Sequence, residues 1–280
     1  MNERKYKIVA SDLDGTLLDT DQSISAENFA AIKEMNRLGV SFVPTSGRAL
    51  SEIPKGLLEN PAVRYFITSD GAAVWDKEQG KMILAHYIPE DLVAFITETV
   101  KPYVTYTLTH ESGFNHYAPG QHTPAHLDRC HVGEGFRIIV EACARAVDDM
   151  DAFLKNSKAI EMICIFFESH DALLSCKRIL EESGRLCAVQ SDENNIEIFM
   201  SSAGKGNTLA AFAKMLGADI SEVIAVGDSD NDITLLKTAG LSLAMGNATE
   251  EAKAAAHKTI CKNSEHSAKY ILEHYLSPSV

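Results

Sequence analysis

Short apolar runs alternate with amphipathic stretches at both ends of this chain, and a different rhythm separates the two ends. Lys7 to Ser11 reads as a strand, Ser25 to Leu38 as an amphipathic helix closed by Gly39, and Val40 to Val43 as the next strand. Tyr65 to Thr68 is a further strand, and Ala73 to Asp76 with Lys81 to Leu84 reads as a hairpin. The alternation returns with helix Asn207 to Leu216, strand Val223 to Val226, helix Asn231 to Thr238, strand Leu241 to Ala244 and helices Thr249 to Ala256 and Glu265 to Tyr275. A strand–helix–strand opening calls for a parallel, twisted sheet. Between about Ala85 and Asp192 a β-rich stretch (Tyr103 to Tyr117), a segment rich in Pro, Gly and His, and the apolar run Ile160 to Phe167 indicate a separate α+β module. The expected fold is therefore α/β, a doubly wound, Rossmann-like parallel sheet built from 1–84 and 193–280 and interrupted by an inserted α+β domain at 85–192. A chain of 280 residues has the length for two such domains.

Chemistry gathers where core strands should end. Asp12-Leu13-Asp14-Gly15-Thr16 follows the apolar run Ile8-Val9-Ala10. Residues two apart on a strand point the same way, so Asp12 and Asp14 are expected to converge, with Gly15 turning the backbone away. Two carboxylates this close need a cation or a shared proton, and a divalent metal is the natural choice. Thr45-Ser46-Gly47-Arg48 follows the second strand, where its hydroxyl and turn N–H groups can hold anionic oxygens. Gly204-Lys205-Gly206 opens a helix and places a lysine near the positive helix end. Gly227-Asp228-Ser229-Asp230-Asn231-Asp232 follows Val223-Ile224-Ala225-Val226. Acidic residues at the end of a buried strand are costly without a cation, and the spacing is not that of an EF-hand loop. A magnesium site completed by Asp12 fits it.

The formal net charge of -13 works against nucleic acid and against an anionic membrane, so any phosphate site must be made locally by a metal and cationic side chains. No run of about 18 apolar residues is available to span a bilayer. The opening residues, Met1 to Lys7, are charged and contain no apolar signal region, so a cytoplasmic location is expected. Six cysteines lie scattered without C-x-x-C spacing, which predicts reduced, mostly buried thiols rather than a zinc site or disulfides. Five histidines between His110 and His131 also match no zinc spacing, and most of them are expected to be structural.

Taken together, Asp12 to Thr16, Thr45 to Arg48, Lys205 and Gly227 to Asp232 resemble, in order, the four motifs of the haloacid dehalogenase (HAD) superfamily of aspartyl phosphatases, and within it the Cof-type phosphatases with a C2 (IIB) cap. Ser69-Asp70-Gly71-Ala72 and the stretch Ala239 to Ala248 are also similar to this family, although the family usually has Asn at Asp70 and commonly Gly-Gly at Ser229-Asp230. The resemblance implies a phosphoric monoester hydrolase working through a covalent aspartyl-phosphate. It implies Asp12 as nucleophile, Asp14 as general acid/base, and Lys205, Ser46 and the Gly47 N–H as stabilisers of the phosphoryl oxygens. Magnesium is implied on the Asp12 carboxylate, the Asp14 carbonyl and Asp228, with Asn231 holding phosphate or Lys205 and Asp232 orienting the site from behind or acting as an outer metal ligand. The partner expected is a small phosphorylated metabolite, plausible as a sugar phosphate. A phosphomutase of the phosphomannomutase type and a non-catalytic phosphometabolite-binding regulator are the alternatives.

Overall fold

The computed structural model describes residues 5–276; Met1 to Arg4 of the charged opening and the last four residues lie outside the described residues. Two compact units emerge from the contacts. The first comprises 1–47, 54–84 and 204–280, and the second 48–53 and 85–203.

In the first unit five parallel strands run in the order Lys258–Thr259, Leu241–Ala244, Val223–Gly227, Ile8–Ser11, Ser41–Pro44. A parallel bridge from Thr45 to Ile67 carries the layer on to Tyr65–Thr68, which forms an antiparallel three-stranded sheet with Ala73–Asp76 and Lys81–Ala85. Every residue of Ile8–Ser11 and of Val223–Gly227 is buried, as a strand covered on both faces must be. Ile8, Ala10, Val43, Val223 and Ala225 pack on Leu209, Phe212 and Leu235 of helices Lys205–Met215 and Ile233–Thr238. Val9, Phe42 and Ile224 alternate to the opposite face and are buried as well. Helix Ala26–Arg37 starts where expected, with the Ser25 hydroxyl accepting from the Asn28 N–H at 3.1 Å, and Gly39 (φ +77°) follows its end. The central strand Ile8–Ser11 has its sequence-distant neighbour on one side and its next strand on the other. Its carboxyl end is thus a topological switch point, where open α/β sheets bind ligands.

The second unit is a six-stranded sheet in the order Leu186–Val189, Asn195–Met200, Ile160–Phe167, Thr105–Glu111, Phe114–Tyr117, Arg145–Ala146, antiparallel except for the last pair. Ile163, Ile165 and Phe167 face helices Glu90–Val100, Met150–Asn156 and His170–Glu182, whereas Tyr106, Leu108, Cys164 and Phe166 face Leu127 and Val140 of helices Pro124–Arg129 and Glu134–Cys143. The α/β class and the additional α+β sheet agree with the sequence reading. All six cysteines are free thiols; Cys130, Cys164 and Cys176 are buried and the other three half-buried. The histidines mostly meet protein groups: His122 bonds the Tyr106 hydroxyl at 2.7 Å, His126 the Thr105 carbonyl at 3.1 Å and His131 the Glu168 carbonyl at 3.3 Å.

Candidate active site

Strand register assembles the site. Ser11 lies opposite Val226 on one side and Pro44 on the other, so Asp12, Gly227-Asp228 and Thr45-Ser46 leave the sheet side by side. The ladder continues one step past the strand, with Asp12 N–H donating to the Val226 carbonyl at 2.9 Å and Thr45 N–H to the Ser11 carbonyl at 2.8 Å. Asp12 is buried and Asp14 is exposed. The two do not lie on a strand as the sequence suggests: the strand ends at Ser11, and Asp14 (φ -73°, ψ 123°) sits in a tight turn with Gly15 at φ +72°. A side chain at position 15 would be doubly excluded, since a Cβ there would lie 2.3 Å from Asp228 Oδ2.

Lys205 is the hub. It is 1% exposed, follows Gly204 as the first residue of its helix, and its ammonium donates to Asp12 Oδ1 at 2.8 Å and Asp232 Oδ1 at 2.7 Å, with Asp70 Oδ1 at 3.9 Å. Burial alone would lower its pKa, but Asp12, Asp232 and Asp70 outweigh that and hold the ammonium charged well above its ordinary value. Asp232 has protein partners on both oxygens, because its Oδ2 accepts the backbone N–H groups of Asp228 (3.0 Å) and Ser229 (3.3 Å). It therefore shapes the 228–232 loop and anchors Lys205. Asp228 Oδ1 accepts the Thr16 hydroxyl at 2.7 Å, a contact the sequence reading did not assign although Thr16 lies in the first motif. Asn247 also went unassigned; its amide donates to the Gly15 carbonyl at 2.8 Å and pins the turn.

Asn231 does not reach Lys205. Its amide is oriented by the Ser229 hydroxyl at 2.7 Å and stands 3.4 Å from Asp70 Oδ1. Ser46 is buried, and its backbone bonds the Ile67 carbonyl and the Asp70 N–H, which fixes the loop beside Asp12; Gly47 follows it, half-buried. Arg48 falls in the second unit, where it donates to the Glu52 carbonyl.

The donor set suits a hard cation. Asp12, Asp228 and Asp232 each offer a carboxylate oxygen within 4.8 Å of the others. Burial, then the charge of Asp232, pushes the Asp12 carboxyl well above the carboxylate range, with Asp228 and Asp14 adding to it and Lys205 opposing. Burial lifts Asp228 to about 6, against the Thr16 hydrogen bond. Carboxylates crowded and desolvated in this way are relieved by a divalent cation between them. Asp12 and Asp228 are the less encumbered of the three, since Asp232 also anchors Lys205 and two backbone N–H groups.

The family model of the haloacid dehalogenase-like hydrolases matches residues 9–272. This chain belongs to that family. It is 27% identical over 292 residues to the phosphatase YwpJ of Bacillus subtilis strain 168, covering 96% of this chain and 100% of the relative. It is 26% identical over 291 residues to the 5-amino-6-(5-phospho-D-ribitylamino)uracil phosphatase YwtE of the same organism, covering 97% and 98%. Among solved structures, a haloacid dehalogenase-like hydrolase from B. subtilis superposes with a TM-score of 0.82 at 26% identity, covering 96% of this chain and 99% of that one. The resemblance read from the four motifs and the fold class are thereby borne out, and the enzyme class is that of the named phosphatases, phosphoric monoester hydrolysis. No helix among the described residues is long and apolar enough to cross a membrane.

Proposed function

We propose that this protein is a magnesium-dependent phosphatase of small phosphorylated metabolites, with sugar and polyol phosphates as the substrate class, acting through an aspartyl-phosphate on Asp12. The observation that carries the reading is the buried Lys205 ammonium held between Asp12 and Asp232. A purely structural ion pair needs one carboxylate; this arrangement keeps a cation beside a nucleophile-sized carboxylate at the mouth of a switch point. The ribityl phosphate named for YwtE supports the substrate class.

In the first half-reaction an Asp12 oxygen attacks phosphorus and the ester P–O bond breaks, while Asp14 gives its proton to the leaving oxygen. In the second, water attacks phosphorus, passes a proton to the Asp14 carboxylate, and the bond to Asp12 breaks to release inorganic phosphate. Exposure of Asp14 leaves it open to the leaving group in the first half and to the incoming water in the second. This acid/base role contributes roughly 10²- to 10⁴-fold. Lys205, Ser46 and the Gly47 N–H neutralise the phosphoryl oxygens, and Asp232 keeps Lys205 in place. Magnesium held by Asp12 and Asp228, with the Asp14 carbonyl, supplies Lewis-acid charge on the same oxygens when bound. The inserted unit, 85–192 extended by the strand Asn195–Met200, is the specificity domain of this scheme, and the parallel-sheet unit is its catalytic core.

Phosphate release from p-nitrophenyl phosphate, with magnesium and with chelator, tests the reading. Magnesium-dependent turnover that is lost in Asp12→Asn supports it. Turnover that appears only with an added sugar bisphosphate shifts the assignment to a mutase, and no turnover by folded, metal-loaded protein shifts it to a binding protein.

A further inference from the structure

Asp70 is the one acidic side chain at Lys205 whose charge is not accounted for. It is 2% exposed, and its Oδ2 is buried without a hydrogen-bond partner among the described residues. Its Oδ1 stands 3.9 Å from the Lys205 ammonium and 3.4 Å from the Asn231 amide, both longer than a strong hydrogen bond. Lys205 already has two carboxylates at 2.7–2.8 Å, so Asp70 is a third negative charge on a single cation. The fold goes out of its way to put it there. Ser69, Asp70 and Gly71 are all left-handed (φ +52°, +50°, +89°), and the turn is pressed so closely on the lysine's helix that a Cβ on Gly71 would lie 2.6 Å from the Gly204 backbone. The Thr208 hydroxyl then bonds the Gly71 carbonyl at 2.6 Å and locks the turn to that helix. A buried carboxylate oxygen with no protein donor is costly, and a water, an ion or a ligand is what can supply one.

Resting on the phosphatase reading, we infer that Asp70 is a specificity-determining residue: its unpartnered oxygen accepts a hydrogen bond from a substrate hydroxyl and repels a second anionic group carried on the ester. The substrate class is thereby narrowed to neutral, hydroxyl-bearing phosphate esters, and phosphorylated carboxylic acids are selected against. Charge placement of this kind works by penalising the wrong ligand as much as by rewarding the right one.

Glycerol 3-phosphate and 3-phosphoglycerate make a matched pair, because a hydroxymethyl group in one is a carboxylate in the other. The inference expects wild-type kcat/KM to favour glycerol 3-phosphate by about tenfold or more, and Asp70→Asn to shrink that ratio by about fivefold or more, mainly by raising turnover of the acid. Asn keeps the shape of Asp and also tolerates a left-handed backbone. Using the ratio removes any uniform change in phosphate affinity. An active wild type that treats the two esters alike overturns the inference without need of the variant, as does an unchanged ratio in an active Asp70→Asn. A wild type that hydrolyses no phosphate ester overturns the phosphatase reading itself, and this inference with it.

Discussion

The buried carboxylates around Lys205 and the buried Glu52 and Glu161 of the second unit have different surroundings. In the first unit, one ammonium faces three carboxylates, and Asp12 and Asp228 are pushed up by burial and by neighbouring carboxylates, Asp232 foremost. In the second, Glu52 spends one oxygen on the Asn115 amide at 2.6 Å and the other on the Ala49 N–H at 2.8 Å, and the fully buried Glu161 accepts the Gly113 N–H at 2.7 Å. These carboxylates meet backbone and amide donors, with His110 Nε2 a further 3.6 Å from Glu52 Oε2, and tie the 48–53 segment and the 112–113 turn to the sheet. The lesson is that buried ionisable groups mark function where their charges are left in excess, and architecture where dipoles close the account.

Four measurements sharpen or break that contrast. The largest effect is expected at Asp12→Asn, which removes the nucleophile and should cut phosphate release from an aryl ester by a factor of about a thousand or more. A residual rate within tenfold of wild type would place the chemistry elsewhere. Next comes Lys205→Met, which leaves Asp12 and Asp232 buried without their cation; urea unfolding should show a loss of about 3–5 kcal/mol. A Lys205→Met protein as stable as wild type would mean that the carboxylates had simply taken up protons.

Glu52→Ala strands two donors rather than a charge, so a smaller loss of about 1–3 kcal/mol is expected by the same measurement, with aryl phosphate turnover retained. If turnover fell as far as in the Lys205 variant, Glu52 would belong with the functional charges. The smallest effect is the pH dependence of the metal-free protein. Asp228 has a folded pKa of about 6 against an ordinary 3.8, so its proton is bound more tightly in the native state. Its contribution to stability is present at low pH and is lost as pH rises from about 4 to about 6. Calorimetric Tm values of wild type and Asp228→Asn in chelator should diverge over that window, and magnesium should restore the wild type; parallel curves would show that Asp228 is not burdened by burial.

Much of this was open to a reading of the residues. Ile8-Val9-Ala10 and Val223-Ile224-Ala225-Val226 are too apolar to be anything but two-sided core strands, and Ser25 and Gly39 bracket their helix by local hydrogen bonding and backbone freedom. The acidic residues after those strands had to sit at one edge of the sheet. Other features had no local signature. The segment 48–53 packs with the second unit although it directly follows Gly47, and Asn195–Met200 pairs with Ile160–Phe167 rather than with the parallel sheet. Nothing in a six-residue strand such as Asn-Ile-Glu-Ile-Phe-Met states which partner it will find, since pairing is decided by long-range register.

The sequence by itself determined the kind of chemistry: which side chains stand after core strands, and that carboxylates so placed call for a cation. Only the tertiary structure decided how those charges are shared. Asp14 follows Asp12 in a turn and not along a strand, Asp232 binds Lys205 and two backbone N–H groups, and Asp70 is left with an oxygen unspent. The reason is physical. Residue type and local pattern set what a group can do, but burial, distance and competition for donors arise from contacts between segments nearly two hundred residues apart, as between Asp12 and Lys205.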